Sequence, residues 1–563
     1  MMLQKLQKIA FKKLPTWFWI CLPSLLFYLA WEPNGITPFL FIAFMPFIVL
    51  ANRFAAEKRY KYYGSVFLAL LGWNITTTWW VYYASDVGAI FMLLLNALFM
   101  CVPFIFYRIA LKRNFGKWSF VVFAIAWILY EYGHHRWDLS WPWLCLGNGF
   151  SGWTGFVQWY EWTGTLGGTA LVLWMNYLFF EGYSGLENNQ NTVFNGGGFS
   201  GKYRKFYWIL IVFGALYGLS FCLKSIVNIT EGKKINVVAL QPSYDPWNEK
   251  FNRPSLQMEE EMIKLSASYI DSSTDWLLWP ETSLVDNINL NLPERDGQVE
   301  MLNGLYRRLR WGSELGIVFG SDKSKYRWNS KLQILTGAST IRYFNSVEKP
   351  TSVARKSQYD KNLWYEVFND AMYLDSSLLP RFYHKSKLVP GTEQMPFLHY
   401  LPFLEELALG LDENSATGSL GKNDSAEVFG RGEVKVAPVI CYESIYGDYV
   451  REYINKGAGW IGIVTNDAWW RETAGYQQHF SFAKLRAIEM RKWIARSANT
   501  GTSAFIDPLG NSYQNTEWFD KVCIKQSIYS NQRKTIYAAI GDIGVMAILF
   551  LGMILGTYFK RSN

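Results

Sequence analysis

Eight apolar runs punctuate the chain, and the polar connections between them alternate in charge. The runs are Leu14–Trp31, Ile36–Ala51, Tyr62–Ala84, Val87–Tyr107, Trp118–Tyr132, Trp162–Phe180, Phe206–Leu223 and Ile536–Phe559. About 20 apolar residues cross a bilayer, so these read as membrane spans, the short second and fifth being candidates for re-entrant segments. Basic clusters occur before the first run (Lys5, Lys8, Lys12, Lys13) and after the second (Arg53, Lys58, Arg59, Lys61). They recur after the fourth (Arg108, Lys112, Arg113, Lys117), the sixth (Lys202, Arg204, Lys205) and the eighth (Lys560, Arg561). The intervening connections carry little Lys or Arg. Cytoplasmic loops are the basic ones, so seven spans lead outward and the polar segment 224–535 is expected to be extracytoplasmic. The first run ends without a small-x-small cleavage site and reads as an uncleaved anchor rather than a signal peptide.

Composition agrees with a chain of two characters. Of its 563 residues 50% are hydrophobic and only 18% charged, which excludes disorder. The mean hydropathy of -0.00 is a cancellation between apolar spans and one polar domain. The net charge of +9 orients the protein in its membrane, because no basic run accompanies a nucleic-acid motif and no nucleic-acid partner is expected. Six cysteines without a CxxC pair form no disulfide framework, and no metal or other cofactor is expected. The loop from Glu131 to Glu161 is rich in Trp, which suits either interfacial anchoring or a lipid entry route.

From about Lys233 short β-branched runs end in polar residues: 235–242, 276–283, 316–322, 434–444, 460–470 and 503–510. Helical stretches, Met258–Tyr269 and Ala483–Ala495 among them, lie between, so a layered α/β domain with its chemistry at strand ends is expected. The stretches 345–357 and 409–434 read as surface loops.

Three strand-end residues stand out. Glu281 follows WLLWP, where apolar surroundings would raise its pKa and suit a general base; alone it could be a surface carboxylate. Cys441 follows VAPVI at a strand-to-turn switch, a place for a thiolate nucleophile or for a small buried hydrophobe. Lys385, in YHKSKLVPGTE, could stabilise a thiolate and an oxyanion, or could simply be solvated.

The order of WPET, HKSKLVPGTE and ICYES resembles the Glu-Lys-Cys triad of the nitrilase superfamily, the carbon–nitrogen hydrolases. With the spans, the chain is similar to the bacterial apolipoprotein N-acyltransferases over nearly its whole length. The resemblance implies a polytopic α-helical membrane domain of about eight spans plus an extracytoplasmic α/β, nitrilase-like αββα sandwich. The domains would be 1–230, 231–530 and a last span at 536–559. It implies Cys441 as nucleophile, Glu281 as base and Lys385 as oxyanion cation, preferred over Lys387 because it stands three residues before Leu-Val-Pro. Glu393 and Glu443 match supporting carboxylates; Trp247, Tyr442 and Trp469 match aromatic positions around a lipid pocket. The implied partners are a phospholipid acyl donor and a diacylglyceryl apolipoprotein acceptor at the bacterial cytoplasmic (inner) membrane, with the catalytic domain on the periplasmic side and the protein a monomer. Gly391-Thr392 stand where the family usually has Phe-Gly, and the region from about Ser321 to Tyr383 is longer than expected.

Such an enzyme would move an acyl chain through a Cys thioester to an amine. Working at the bilayer avoids drawing lipid into water, about 0.8 kcal/mol per CH₂. The competing readings are a membrane-tethered carbon–nitrogen hydrolase (amidase) on a soluble substrate, for which one anchor would suffice, and a transporter or receptor, which would carry ionisable residues in its spans. The spans hold few, Asp542 being the notable exception.

Overall fold

The computed structural model describes residues 14–188, 200–311, 331–345, 347–357, 359–360, 362–397 and 419–558. Two compact units emerge: Met1–Val227 with Ile540–Asn563, and Asn228–Ala539.

The first unit is helical. Among the described residues, four stretches are long and apolar enough to cross a membrane, Thr37–Phe54, Asp86–Lys112, Tyr207–Ile226 and Ile536–Met553, and Thr16–Ala30 is a shorter apolar helix. Helices also cover Arg59–Thr78, Trp118–His134 and Tyr160–Asn188. The second apolar run is broken: a 3₁₀ turn at Thr37–Phe39, then helices Leu40–Ala43 and Met45–Phe54, with Pro38 and Pro46 each lacking a donor. Asn176 repairs the break. Its Oδ1 accepts from Phe44 N (2.8 Å) and Met45 N (2.9 Å), and its Nδ2 donates to Leu40 O (2.7 Å). Rings fill the interior: Phe27 stacks on Trp73 at 3.9 Å, and Trp127 meets Phe44 edge-on at 4.8 Å. The outward faces stay apolar, with Leu98, Ile109, Leu210 and Phe221 exposed, as a lipid-facing surface requires.

The aromatic loop after Glu131 is packing rather than an exposed girdle. It turns through Pro142–Leu144 and Leu146–Gly152, and Trp143, Leu146 and Phe150 are buried. Glu131, a buried carboxylate overlooked in the fifth run, fastens it by accepting from Leu146 N (2.9 Å), Trp127 Nε1 (2.9 Å) and Thr169 Oγ1 (2.6 Å).

The second unit is an αββα sandwich. Its strands are β1 (Lys233–Gln241), β2 (Trp276–Leu278), β3 (Leu284–Asn289), β4 (Gln333–Tyr343), β5 (Arg355–Lys356), β6 (Trp364–Leu374), β7 (Arg381–His384), β8 (Val436–Ile440), β9 (Trp460–Thr465), β10 (Ile494–Ala498), β11 (Ala504–Ile506), β12 (Ser512–Tyr513) and β13 (Val522–Ser530). One sheet runs β13-β1-β2-β4-β6-β5, with β3 on β4 and β7 on β6; the other runs β12-β11-β10-β9-β8. Alternation along Trp276-Leu277-Leu278-Trp279 sends side chains to both faces. Trp276 meets Trp460 of the facing sheet at 5.1 Å, while Leu277 and Trp279 pack outward with Met258 and Met262 of the Ser255–Ala267 helix. Helices Gly447–Asn455 and Ala474–Met490 belong to the layer beside the second sheet.

Three expectations change. The helix expected over Ala483–Ala495 ends at Met490, because Arg491 adopts a left-handed conformation (φ 50°) and Ile494–Ala498 becomes β10, parallel to β9. The longer region 321–383 is chiefly sheet from Gln333 on: β4 and β6, eleven residues each, pair antiparallel through ten residue pairs. The loop at 345–357 contains the edge strand β5. The strand expected at 316–322 and residues 409–418 of the second loop lie outside the described residues.

Candidate active site

Glu281, Lys385 and Cys441 converge at the ends of β2, β7 and β8. Glu281 leaves β2 through Pro280 and a turn in which Thr282 has φ 47°. The turn lies against β4 at Gly337, where a Cβ would fall 2.4 Å from Thr282 N and 2.5 Å from Glu281 Cα. Lys250 ties the same turn: its Nζ donates to Glu281 O (2.8 Å) and Thr282 Oγ1 (2.7 Å).

Lys385 follows β7 and is buried between two carboxylates. Its Nζ donates to Glu281 Oε1 at 3.0 Å and Glu393 Oε1 at 2.9 Å. Asn369 of β6 donates Nδ2 to the same oxygens, 2.7 Å from Glu281 and 2.9 Å from Glu393. Asn466 N caps the other Glu281 oxygen at 3.0 Å. Glu393 is oriented by Val389 N at 2.9 Å, so Gly391-Thr392 leave its place in the site intact. Lys387 sits apart, its ammonium over the rings of Tyr446 (5.4 Å) and Tyr449 (5.2 Å).

Cys441 follows the fully buried β8 with φ 46°, in the left-handed region that non-glycine residues rarely adopt. Glu443 anchors its turn. One Glu443 oxygen accepts from Ile440 N (2.9 Å) and Tyr453 OH (3.1 Å); the other accepts from Tyr383 OH (2.7 Å) and Ser386 N (2.7 Å). The carboxylate thus splices the cysteine turn to the lysine loop.

The electrostatics correct one expectation. Burial alone would raise the Glu281 pKa, but the Lys385 ammonium, the Asn369 amide and Lys250 outweigh it and hold the carboxyl below its ordinary value. Burial likewise disfavours the Lys385 cation, and the charges of Glu281 and Glu393 reverse this, holding its pKa well above the usual lysine range. Burial and the Glu281 charge push the Cys441 thiol up, with Lys385 opposing. The resting site is therefore carboxylate, ammonium and neutral thiol. Burial draws Lys250 down to about 8 against the pull of Glu281 and Cys441. A buried carboxylate and cation beside a thiol can exchange its proton and stabilise an oxyanion, the requirements of acyl transfer.

The aromatic residues divide. Trp247 meets Trp469 edge-on at 5.3 Å, and Phe251, which the sequence did not single out, stacks on Trp469 at 6.2 Å. Tyr442 is buried against Tyr446 at 5.3 Å. Asn369, Lys250 and His479 also escaped the sequence reading, although Lys250 stands three residues past Trp247.

Residues 24–178 match the family model for the apolipoprotein N-acyltransferase N-terminal domain, and residues 350–535 match that for carbon-nitrogen hydrolase. An apolipoprotein N-acyltransferase of Chlorobaculum tepidum is 26% identical over 525 residues, covering 91% of this chain and 90% of the relative. Apolipoprotein N-acyltransferase 1 of Treponema denticola is 24% identical, covering 94% of each chain. Among solved structures, Saccharomyces cerevisiae Nit3 of the nitrilase superfamily is similar at 13% identity and a TM-score of 0.35, over 54% of this chain and 92% of that one. With one region matching each of these family models and relatives aligned over nearly its whole length, the chain is similar to the apolipoprotein N-acyltransferases.

Proposed function

We propose that this integral membrane enzyme transfers an acyl chain from a phospholipid, through a thioester on Cys441, to the N-terminal amine of the diacylglyceryl-cysteine of an apolipoprotein. The observation that carries the reading is the buried Glu281–Lys385 pair beside the Cys441 thiol, in a chain that also has the family's helical domain. Glu281 takes the thiol proton as sulfur attacks the ester carbonyl. Lys385 turns an N–H to the developing oxyanion, which loosens its hold on Glu281 and makes that carboxylate a stronger base when it is needed. The proton passes to the departing lysophospholipid oxygen. The acceptor amine then attacks the thioester, gives a proton to Glu281, and the proton returns to sulfur.

Glu393 orients Lys385, and Glu443 holds the turn of Cys441. Trp247, Trp469 and Tyr442 supply apolar surface for acyl chains, and exclusion of water there protects the thioester from hydrolysis. The alternation of basic connections supports a bacterial inner-membrane location with the catalytic domain on the periplasmic side. The enzyme acts as a monomer in this reading, because one chain supplies every residue assigned a role.

The test supplies purified enzyme with phospholipid labelled in its acyl chain and a diacylglyceryl peptide. Label on the peptide's N-terminal amine is expected. Label recovered only as free fatty acid would make the protein a hydrolase.

A further inference from the structure

Behind Cys441 lies a closed polar network that the steps above do not use. His479 projects from the Ala474–Met490 helix and is fully buried. Its Nε2 lies 3.2 Å from Cys441 O and 3.0 Å from Ser444 Oγ. Ser444 spends its single proton on Cys441 O, at 2.7 Å, so its oxygen faces His479 as an acceptor. Both neighbours of Nε2 are therefore acceptors, and Nε2 is the donor. On the far side, Nδ1 lies 2.9 Å from Asp467 Oδ1, and Arg496 Nη2 donates to Asp467 Oδ2 at 2.7 Å while passing 3.2 Å from Nδ1. Asp467 and Arg496 are likewise buried. Gly501 makes room, since a Cβ there would sit 2.7 Å from Asp467 Oδ2. The Thr465 hydroxyl donates to Asp467 Oδ1 at 3.1 Å.

The network thus grips Cys441 at its carbonyl. A left-handed non-glycine residue is strained by an order of 1 kcal/mol and persists only where its surroundings fix it. The peptide is planar and trans, so fixing Cys441 O also fixes the opposite direction of Tyr442 N–H. We infer that His479, held by Asp467 and Arg496, is a positioning residue for acyl transfer, locking the Cys441–Tyr442 peptide so that sulfur and the Tyr442 N–H, as oxyanion donor, face one acyl carbon. The inference rests on Cys441 being the nucleophile.

The experiment measures acylation of the full-length enzyme by labelled phospholipid in the parent, His479→Ala, His479→Gln and Asp467→Asn, with melting temperatures alongside. His479→Ala is expected to lower the acylation rate about 100-fold, on the scale of a lost oxyanion donor. The KM for phospholipid should stay within about twofold, since positioning acts on the transition state. Glutamine, whose Nε2 can reach the same acceptors, should recover at least about tenfold of the loss. His479→Ala acylating at the parental rate would overturn the inference. So would a folded His479→Gln, melting like the parent, that acylates no faster than His479→Ala. If His479→Ala does not fold, the comparison of His479→Gln with Asp467→Asn decides: glutamine retaining the faster rate supports the positioning role, and equal rates overturn it. An unlabelled parent would instead defeat the thioester reading itself.

Discussion

The two units bury polar groups for different ends. In the helical unit the buried Asn176 mends a broken helix by meeting backbone groups that Pro46 and its neighbours leave open. Glu131 binds a loop in the same manner. Each such group completes a backbone that has no water to turn to. In the α/β unit the buried groups around Cys441 are charged side chains facing one another: Glu281, Glu393, Lys385, Lys250, Asp467, Arg496. Buried ion pairs add little net stability. Their concentration around the ends of β2, β7 and β8 marks where the fold has been arranged for chemistry.

Breaking the charged cluster should have the largest effect. Lys385→Met leaves Glu281 and Glu393 sharing Asn369 with no cation between them. Activity should fall at least about 10³-fold, more than for a single oxyanion donor, because base and oxyanion support go together. Unfolding should become easier by about 3–5 kcal/mol, as when one partner of a buried pair is removed. Steady-state transfer and thermal melting in detergent measure the two.

Breaking the helical repair should cost stability and spare chemistry. Asn176→Ala removes the side-chain partner of Phe44 N, Met45 N and Leu40 O, so a loss of about 1–3 kcal/mol is expected, with the kcat of the surviving folded enzyme within about twofold. A large kcat defect in protein that melts normally would contradict the division between the units.

Acidification should separate them too. The folded Glu281 pKa is depressed, so its contribution to stability is complete above its unfolded value, about 4.3, and is lost as pH falls through the lower folded value. Glu281→Gln should flatten this part of a melting-temperature profile below about pH 4; an unchanged profile would mean that the Lys385 pairing does not stabilise the carboxylate. The smallest effect belongs to an exposed pair: Arg431→Ala, opposite Asp375 at 2.9 Å with its side chain 69% exposed, should shift stability by less than about 1 kcal/mol.

Legibility in the sequence follows the same line. The apolar runs are helical in the structure, the second in separate pieces, because a run of that length leaves the backbone few other ways to satisfy itself. The break at Pro38 and Pro46 was not read from the sequence, and nothing local forecast Asn176, whose bonds to Phe44 N, Met45 N and Leu40 O span 131 or more residues. Glu281, Lys385 and Cys441 stood out because each follows an apolar strand or a motif. Asn369 did not: it interrupts the β6 sequence WYEVFNDAMYL with polar residues, which hides the strand and is also how β6 delivers an amide to the site. The direction of the Glu281 shift was missed for a related reason. Burial is legible beside WLLWP, whereas the cation that overrides it arrives from 104 residues downstream.

The most direct test is the covalent intermediate. Purified enzyme is incubated with phospholipid labelled in its acyl chain, without acceptor, then denatured and treated with neutral hydroxylamine. The account predicts label on the parent protein, released by hydroxylamine and mapping to the peptide that holds Cys441, and none on Cys441→Ala. Hydroxylamine-sensitive label persisting on Cys441→Ala, or none on a parent that transfers acyl chains, would contradict it.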